Sequence, residues 1–139
     1  MITVAPAIVA DGAALTELRS IGSAELADER GAAGLFRELA NVTPQVVFTA
    51  RIDDVVVAFA TATLSPTVST LHELFVRPEA RGIGVGRALV LALQQAARAA
   101  GSTSFESVVL PGMRASKNFF EAHGMVAQRI VVGRTLDGS

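Results

Sequence analysis

The chain has 139 residues with seven Phe, no Tyr, no Trp and no Cys, and its formal net charge is −1. This length suits one domain with a real core and is too short for two ordinary ones, so we predict a single domain over residues 1–139. The absence of cysteine excludes disulfides, thiolate nucleophiles and cysteine-type zinc sites, and it fits a cytoplasmic protein. The near-zero charge gives no overall field that would favour nucleic acid or an anionic membrane.

The N-terminal segment predicts a strand followed by a helix. Ile2–Ile8 alternates loosely and is rich in β-branched residues, which is typical of a strand, and it lacks the basic start of a signal peptide. Asp11 can cap a helix in which Leu15, Leu18 and Ile21 fall at helical spacing.

A second helical stretch is expected after Ser23, which can act as its cap. Its apolar residues are Leu26, Leu35, Phe36 and Leu39. Gly31 and Gly34 each lower helix stability by about 1 kcal/mol relative to Ala. Two short helices with a mobile joint are therefore the alternative.

Three further strands are predicted before the middle of the chain. Val46–Ile52 and Val55–Leu64 are separated by Asp53-Asp54, which is a hairpin signal. Ser65, Pro66 and Thr67 form the next turn, and Val68–Val76 is the fourth strand. The uncharged run from Val55 to His72 is interrupted by Thr, Ser and Pro, so we do not expect it to span a membrane.

The second half of the chain predicts two helices and two strands. Gly84–Ala100 has one apolar face and is stopped by Gly101, and Arg114–His123 is a short helix. We predict strands at Phe105–Leu110, which Pro111-Gly112 ends, and at Val126–Val132, and a frayed tail at Thr135–Ser139. The order of strands and helices indicates one layered α/β domain.

The most informative segment runs from Leu71 to Val90, where a buried strand leads through Pro78 into a glycine-rich loop and a long helix. Gly82, Gly84 and Gly86 remove side chains where the backbone must approach a ligand closely. The first turn of the helix offers unpaired N–H groups at the positive end of its dipole, which is a site for an anion such as pyrophosphate. Arg81 and Arg87 bracket the loop and can add charge-assisted hydrogen bonds.

Two common phosphate motifs do not fit this loop. A P-loop ends in Gly-Lys-Ser or Gly-Lys-Thr, whereas Gly86 is followed by Arg-Ala. The dinucleotide fingerprint has glycines spaced G-x-G-x-x-G directly after the first strand, whereas the spacing here is G-x-G-x-G in mid-chain.

The pattern V-x-P-x-x-R-G-x-G-x-G, from Val76 to Gly86, resembles the acyl-CoA signature of GNAT-type N-acetyltransferases. The order of predicted elements is similar to that family over essentially the whole chain. The resemblance implies a mixed, mostly antiparallel sheet of six to seven strands flanked by about four helices, with a splay between strands 4 and 5. An ordinary glycine-rich turn in an unrelated α/β protein is the alternative.

The resemblance also implies a set of coenzyme-binding residues. Phe75 and Val76 would hydrogen-bond the pantetheine arm of acetyl-CoA, and the thioester would lie between residues 74–76 and residues 107–109. The pyrophosphate would be held by Arg81, Gly82, Ile83, Gly84, Val85, Gly86 and Arg87. The segment from Ser116 to Met125 is similar to a second family motif, in which Asn118 and Phe120 would lie at the coenzyme.

Two departures from that second motif concern the acid. The family's usual tyrosine falls on Phe120, which cannot donate a proton, and its usual asparagine falls on Met113. The thiolate would therefore leave with only water or Asn118 nearby.

Acyl transfer to an amine needs a base and an oxyanion donor. The N–H of Val76 is the donor that the resemblance implies. Glu73 is the first candidate base, although alternation directs it opposite to Val76. His72, on the same predicted face as Leu74 and Val76, is its rival. A salt-bridged Glu73 and a structural histidine are the alternatives.

The predicted function is transfer of an acetyl group from acetyl-CoA to a primary amine in a ternary complex. The alternative is a non-catalytic acyl-CoA-binding or regulatory module of the same fold. No metal is expected, because two His lack matching carboxylate spacing. A homodimer through the last strands is a further expectation, and the acceptor is not readable from sequence.

Overall fold

A computed structural model describes residues 1–43, 45–110, 114–134 and 136 of the chain. Within these residues five strands are present: β1 (Ile2–Pro6), β2 (Val46–Ile52), β3 (Val55–Thr63), β4 (Val68–Val76) and β5 (Ser104–Ser107). The α-helices of the same residues are α1 (Gly12–Leu26), α2 (Ala32–Ala40), α3 (Val85–Ala99) and α4 (Arg114–Ala122). Short 3-10 helices at Val9–Asp11 and Pro78–Ala80 lead into α1 and toward α3.

The strands form one sheet in the order β1-β2-β3-β4-β5. The first three pairs are antiparallel and β4–β5 is parallel. The β2–β3 hairpin turns at Asp53 and Asp54, whose φ angles of 49° and 69° lie in the left-handed region that aspartate tolerates. The hairpin predicted from Asp53-Asp54 is thus confirmed.

Helices cover both faces of the sheet. On one face, Val85, Leu89 and Leu93 of α3 pack with alanines of β3 and Leu71 of β4. On the other face, Leu18 of α1 packs with Val56 and Phe59 of β3 and Phe75 of β4. Because β3 is central and covered on both sides, residues 56–62 are all buried.

The fold class is as predicted, but the number of strands is not. The sheet is mixed and mostly antiparallel with four helices around it, whereas the described residues form five strands rather than six to seven. The predicted strand Val126–Val132 is wrong: these residues have no strand pairing, and Val131 and Val132 are 88% and 89% exposed. β-branched composition favours a strand only where a partner strand and a packing face are present.

The helical region before the hairpin also differs from its prediction. Ser23 does not start a second helix, because α1 continues through it to Leu26 with the serine side chain exposed. The break falls at Gly31, whose φ of 89° is the left-handed conformation that ends helical continuity. One helix, α2, begins after Ser23, so the alternative of two short helices in this stretch is not met either, and Gly34 is accommodated inside α2.

Smaller differences lie at element ends. The first strand stops at Pro6, and β5 spans Ser104–Ser107 instead of Phe105–Leu110. The predictions at Pro111-Gly112, at Met113 and for the tail residues 135 and 137–139 fall outside the described residues.

Candidate active site

The loop between β4 and α3 owes its shape to two glycines. Gly82 and Gly84 have φ angles of 81° and 94°, which glycine adopts without strain. A Cβ atom at either position would meet nothing within 4 Å, so backbone conformation rather than crowding demands glycine there. Gly84 caps α3 with no side-chain hydrogen bond, so no capping side chain competes for the N–H groups of the first turn.

Gly86 is required for a different reason. A Cβ atom there would lie 3.3 Å from Cε1 of Phe119 and 3.7 Å from Cγ2 of Val76. The first turn of α3 therefore packs directly against α4 and the end of β4. Phe120, the predicted coenzyme contact, is buried in the core on the α3 face, and its ring meets that of Phe119 edge-on at 5.3 Å. The sequence did not single out Phe119 as the aromatic side chain that touches this turn.

Of the two bracketing arginines, Arg81 is engaged by the protein. Its Nε donates to the carbonyl of Val76 at 2.9 Å, and its Nη2 donates to both carboxylate oxygens of Glu25 at 2.8 and 3.0 Å. The guanidinium also lies 5.4 Å from the centre of the Phe75 ring. Arg81 thus ties the end of α1 to the loop, while the side chain of Arg87 is exposed on the first turn of α3.

His123 lies just beyond α4, close to this loop. Its ring centre is 4.7 Å from that of Phe119. Burial lowers the pKa of His123, and the positive charge of Arg87 lowers it further. The imidazole is therefore neutral at physiological pH and adds no positive charge to the loop.

The edge of β4 becomes free where β5 ends. The parallel pairing joins Val68–Leu71 to Ser104–Ser107 and goes no further. The N–H of Arg77 donates to Val57 of β3 at 2.8 Å. Because successive residues direct their N–H groups to opposite edges of a strand, the N–H of Val76 faces the β5 side, beyond the end of the pairing.

A β-bulge in β4 sets the direction of the two candidate bases. Thr61 pairs with Glu73 and Ala62 with Leu71, so His72 is the extra residue. Glu73 and His72 bond to Thr61 and Thr63, two alternate residues of β3, and therefore share the face covered by α1. The expectation that His72 shares a face with Leu74 and Val76 is wrong, because the bulge interrupts the alternation.

The carboxylate of Glu73 is held by three donors. Arg19 of α1 donates from Nε at 2.9 Å and from Nη2 at 3.1 Å, and the hydroxyl of Thr61 donates at 2.8 Å. Arg19 is itself placed 5.1 Å from the centre of the Phe59 ring. This bidentate geometry stabilises the ionised carboxylate and occupies both of its oxygens.

One ring nitrogen of His72 makes a hydrogen bond within the described residues, and the other does not. Its Nε2 lies 2.7 Å from Oγ1 of Thr63. Burial lowers the pKa of His72, and the nearby charge of Glu73 opposes that effect only in part. The ring is therefore neutral at physiological pH, and if Nε2–H donates to Thr63, Nδ1 is an acceptor.

A cavity of about 470 Å³ opens beside His72. Its walls are residues 70–72 of β4, residues 106–108 at the end of β5, and residues 35, 38, 39, 41 and 42 of α2 and the turn after it, together with Arg129. It therefore lies where β4 and β5 stop pairing. Asn118, the remaining candidate, is exposed on α4 and makes no hydrogen bond to another described side chain or backbone group.

Two further observations concern metal ligands and membrane-spanning helices in the described part of the chain. No group of three or more His, Asp or Glu side chains there could hold a metal ion. No helix in the same residues is long and apolar enough to cross a membrane.

A glycine loop at a helix N-terminus, next to a strand edge that has lost its partner and a cavity at that point, is an arrangement suited to an elongated phosphate-bearing ligand. A family model described as the Acetyltransferase (GNAT) family matches residues 15–125. The chain belongs to this family.

Solved structures share the fold over nearly the full chain. The aminoglycoside N-acetyltransferase AAC(6′)-Iy, in complex with a CoA bisubstrate analogue, is 20% identical with a TM-score of 0.74 and 99% of each chain covered. A tetramutant of the BH1408 protein of Bacillus halodurans is 20% identical with a TM-score of 0.79, covering 96% of this chain and 99% of the other. A protein of Bacillus halodurans C-125 described as a transcriptional regulator is 16% identical with a TM-score of 0.73, covering 98% and 100%. No curated protein sequence matches the chain significantly.

Proposed function

We propose that the chain is a single-domain N-acetyltransferase that moves an acetyl group from acetyl-CoA to a primary amine within a ternary complex. The observation that carries this proposal is the left-handed Gly82 and Gly84 at the start of α3, beside the unpaired edge of β4, in a member of the GNAT family. The CoA complex of the similar aminoglycoside acetyltransferase supports the choice of ligand.

The coenzyme would lie along β4 and across the start of α3. The pantetheine arm would lie along the free edge of β4 beside Val76, as an added strand does. By the same alternation the N–H of Phe75 faces β3, so the bond predicted for its backbone is not proposed here. The pyrophosphate would accept from the N–H groups of the loop, namely those of Arg81, Gly82, Ile83, Gly84, Val85, Gly86 and Arg87. Exposed Arg87 would add a charge-assisted bond to the pyrophosphate, and α4, with Asn118, Phe119 and Phe120, would lie beside the coenzyme at the first turn of α3.

His72 fits the role of base better than Glu73. The oxygens of Glu73 are taken up by Arg19 and Thr61, whereas Nδ1 of His72 has no partner among the described residues and His72 lines the cavity. We assign the role of general base to His72. Glu73 is assigned a structural role, which is to hold the β-bulge of β4 in position.

His72 Nδ1 takes a proton from the ammonium, and the amine nitrogen attacks the thioester carbonyl to form the C–N bond. The oxyanion accepts from the N–H of Val76, and the C–S bond then breaks to release CoA thiolate. The new amide nitrogen gives up its second proton, which water carries to that thiolate, and His72 returns its own proton to solvent. No tyrosine takes part, since the chain has none.

The same absence of tyrosine favours a second candidate, an acyl-CoA-binding module without turnover that serves a regulatory role. The similar protein described as a transcriptional regulator supports it.

We also propose a homodimer in the cytoplasm, for which the exposed Val126, Ile130, Val131 and Val132 provide apolar contact surface.

Thiol release decides between the two candidates. With acetyl-CoA and a panel of aliphatic amines, the wild type is expected to release thiol and to yield acetylated amine by mass spectrometry. Gly84→Glu, which adds strain and a negative charge at the pyrophosphate site, is expected to abolish both. Gly12→Glu is the matched control, because a side chain there meets nothing within 4 Å. Binding of acetyl-CoA without thiol release from any amine would contradict the enzyme and support the binding module.

A further inference from the structure

The cavity beside His72 has the location of an acceptor site. His72 forms part of its wall, and the cavity opens at Leu71 and Ser107, where the pairing of β4 and β5 stops. The gap runs from there toward Val76, where the proposed function places the thioester, so the cavity borders one end of that gap. The cavity volume of about 470 Å³ is of the size that encloses a small molecule.

Glu106 directs a carboxylate toward this cavity. It is paired with Thr70 and follows Phe105, which packs into the core beneath α3, so strand alternation turns Glu106 to the other face, where it lines the cavity. Glu106 is half-buried, and no hydrogen-bond or ion-pair partner for its carboxylate exists among the described residues. Its carboxylate can therefore accept a hydrogen bond from water or from a ligand in the cavity.

The remaining lining is apolar with a negative balance of charge. Glu38 of α2 adds a second carboxylate and Arg129 adds one positive charge, so the lining carries a net negative charge while His72 is neutral. Leu35, Leu39, Leu71, Val42 and Val108 present hydrocarbon between these groups. Such a surface complements an ammonium on an aliphatic body and opposes a carboxylate beside the amine.

We propose that this cavity is the acceptor site and that Glu106 is a specificity-determining residue that selects aliphatic primary amines without a neighbouring carboxylate. The inference rests on the proposed function and deepens it. Glu106 accepts from the ammonium, which brings the nitrogen beside Nδ1 of His72, and its charge excludes α-amino acids.

L-Norleucine and L-norleucinamide test the inference, because they share a shape and differ in the charge beside the amine. The wild type is expected to acetylate the amide in preference, measured as a ratio of kcat/KM values. In Glu106→Gln this ratio is expected to fall about tenfold, as the loss of one charged contact implies. Comparing ratios between variants cancels the different amine pKa values of the two acceptors.

Controls separate the outcomes. Glu17→Gln removes an exposed carboxylate of α1 outside the cavity and is expected to keep the wild-type ratio. If Glu106→Gln does not fold, Glu38→Gln on the exposed side of α2 is expected to lower the ratio to a smaller extent. An unchanged ratio in the folded variant, with thiol release intact, would overturn the inference alone. No thiol release with any amine would overturn the proposed transfer as well.

Discussion

At the scale of single residues, the neighbours His72 and Glu73 have different hydrogen-bond partners, and these partners indicate different roles for them. Glu73 is held by Arg19 and Thr61 through three hydrogen bonds, whereas His72 shares one hydrogen bond with Thr63, lines the cavity and keeps its second ring nitrogen without a partner among the described residues. A base must have a free lone pair within reach of the proton that it removes. Accessibility of the acceptor atom, rather than residue type, therefore separates the two candidates.

His72→Gln is expected to lower kcat/KM by about 100-fold or more, as loss of a general base does. Glu73→Gln is expected to keep most activity and to lose about 1 kcal/mol or less of stability, because its ion pair with Arg19 is partly exposed. Rates from thiol release and melting temperatures check both statements. If Glu73→Gln lowered kcat/KM more than His72→Gln did, Glu73 rather than His72 would be the general base.

The pH profile follows from the lowered pKa of His72. Since the reference value is 6.5 and burial lowers it, His72 is neutral above a midpoint that lies below 6.5. Activity is then present at neutral pH and is lost as pH falls through that lowered pKa. Subtracting the pH–activity profile of His72→Gln from that of the wild type isolates the loss of activity at acid pH that depends on His72. This loss is expected below pH 6.5. A loss above that value would contradict the assignment.

At the scale of elements, contacts distant in sequence fix the start of α1 to the sheet. Asp11 accepts from the N–H of Ile8 at 2.9 Å and pairs with Arg51 of β2. The Ile8 hydrogen bond is the largest influence that lowers the pKa of Asp11, and Arg51 acts in the same direction against the cost of burial. The carboxylate therefore joins the turn before α1 to the edge of the hairpin.

Asp11→Asn is expected to lower the melting temperature at neutral pH. Because the folded pKa lies below the reference value of 3.8, the stabilisation is complete above that value and is lost as pH falls through the folded pKa. The difference in melting temperature between variant and wild type should narrow under acid. Asp54→Asn, in an exposed turn that asparagine also tolerates, is the control. A gap that stays constant with pH would contradict the role of the ionised carboxylate.

At the scale of the whole molecule, the sequence predicted what local patterns determine. Val46–Ile52 and Val68–Val76 have the predicted bounds, because a turn signal and a hydrophobic run delimit each strand. Gly82 and Gly84 were recognised from spacing, since a backbone conformation forces their identity. The backbone conformation of the loop before α3 was therefore predictable at Gly82 and Gly84.

What the sequence did not predict depends on partners far along the chain. The bulge at His72 is a register shift between two strands, and Arg19 meets Glu73 across 54 positions. Glu25 is 56 positions from Arg81. No periodicity in one segment encodes such pairs, so the directions of the candidate bases and the cavity that they border required the fold.

Calorimetric titration of the protein with acetyl-CoA tests most directly the claim that the loop before α3 holds the cosubstrate. The wild type is expected to bind with micromolar affinity, Gly12→Glu to bind equally, and Gly84→Glu to give no binding heat while remaining folded. A folded wild type that binds no acetyl-CoA, or a Gly84→Glu variant that binds it as tightly as the wild type, would contradict the account.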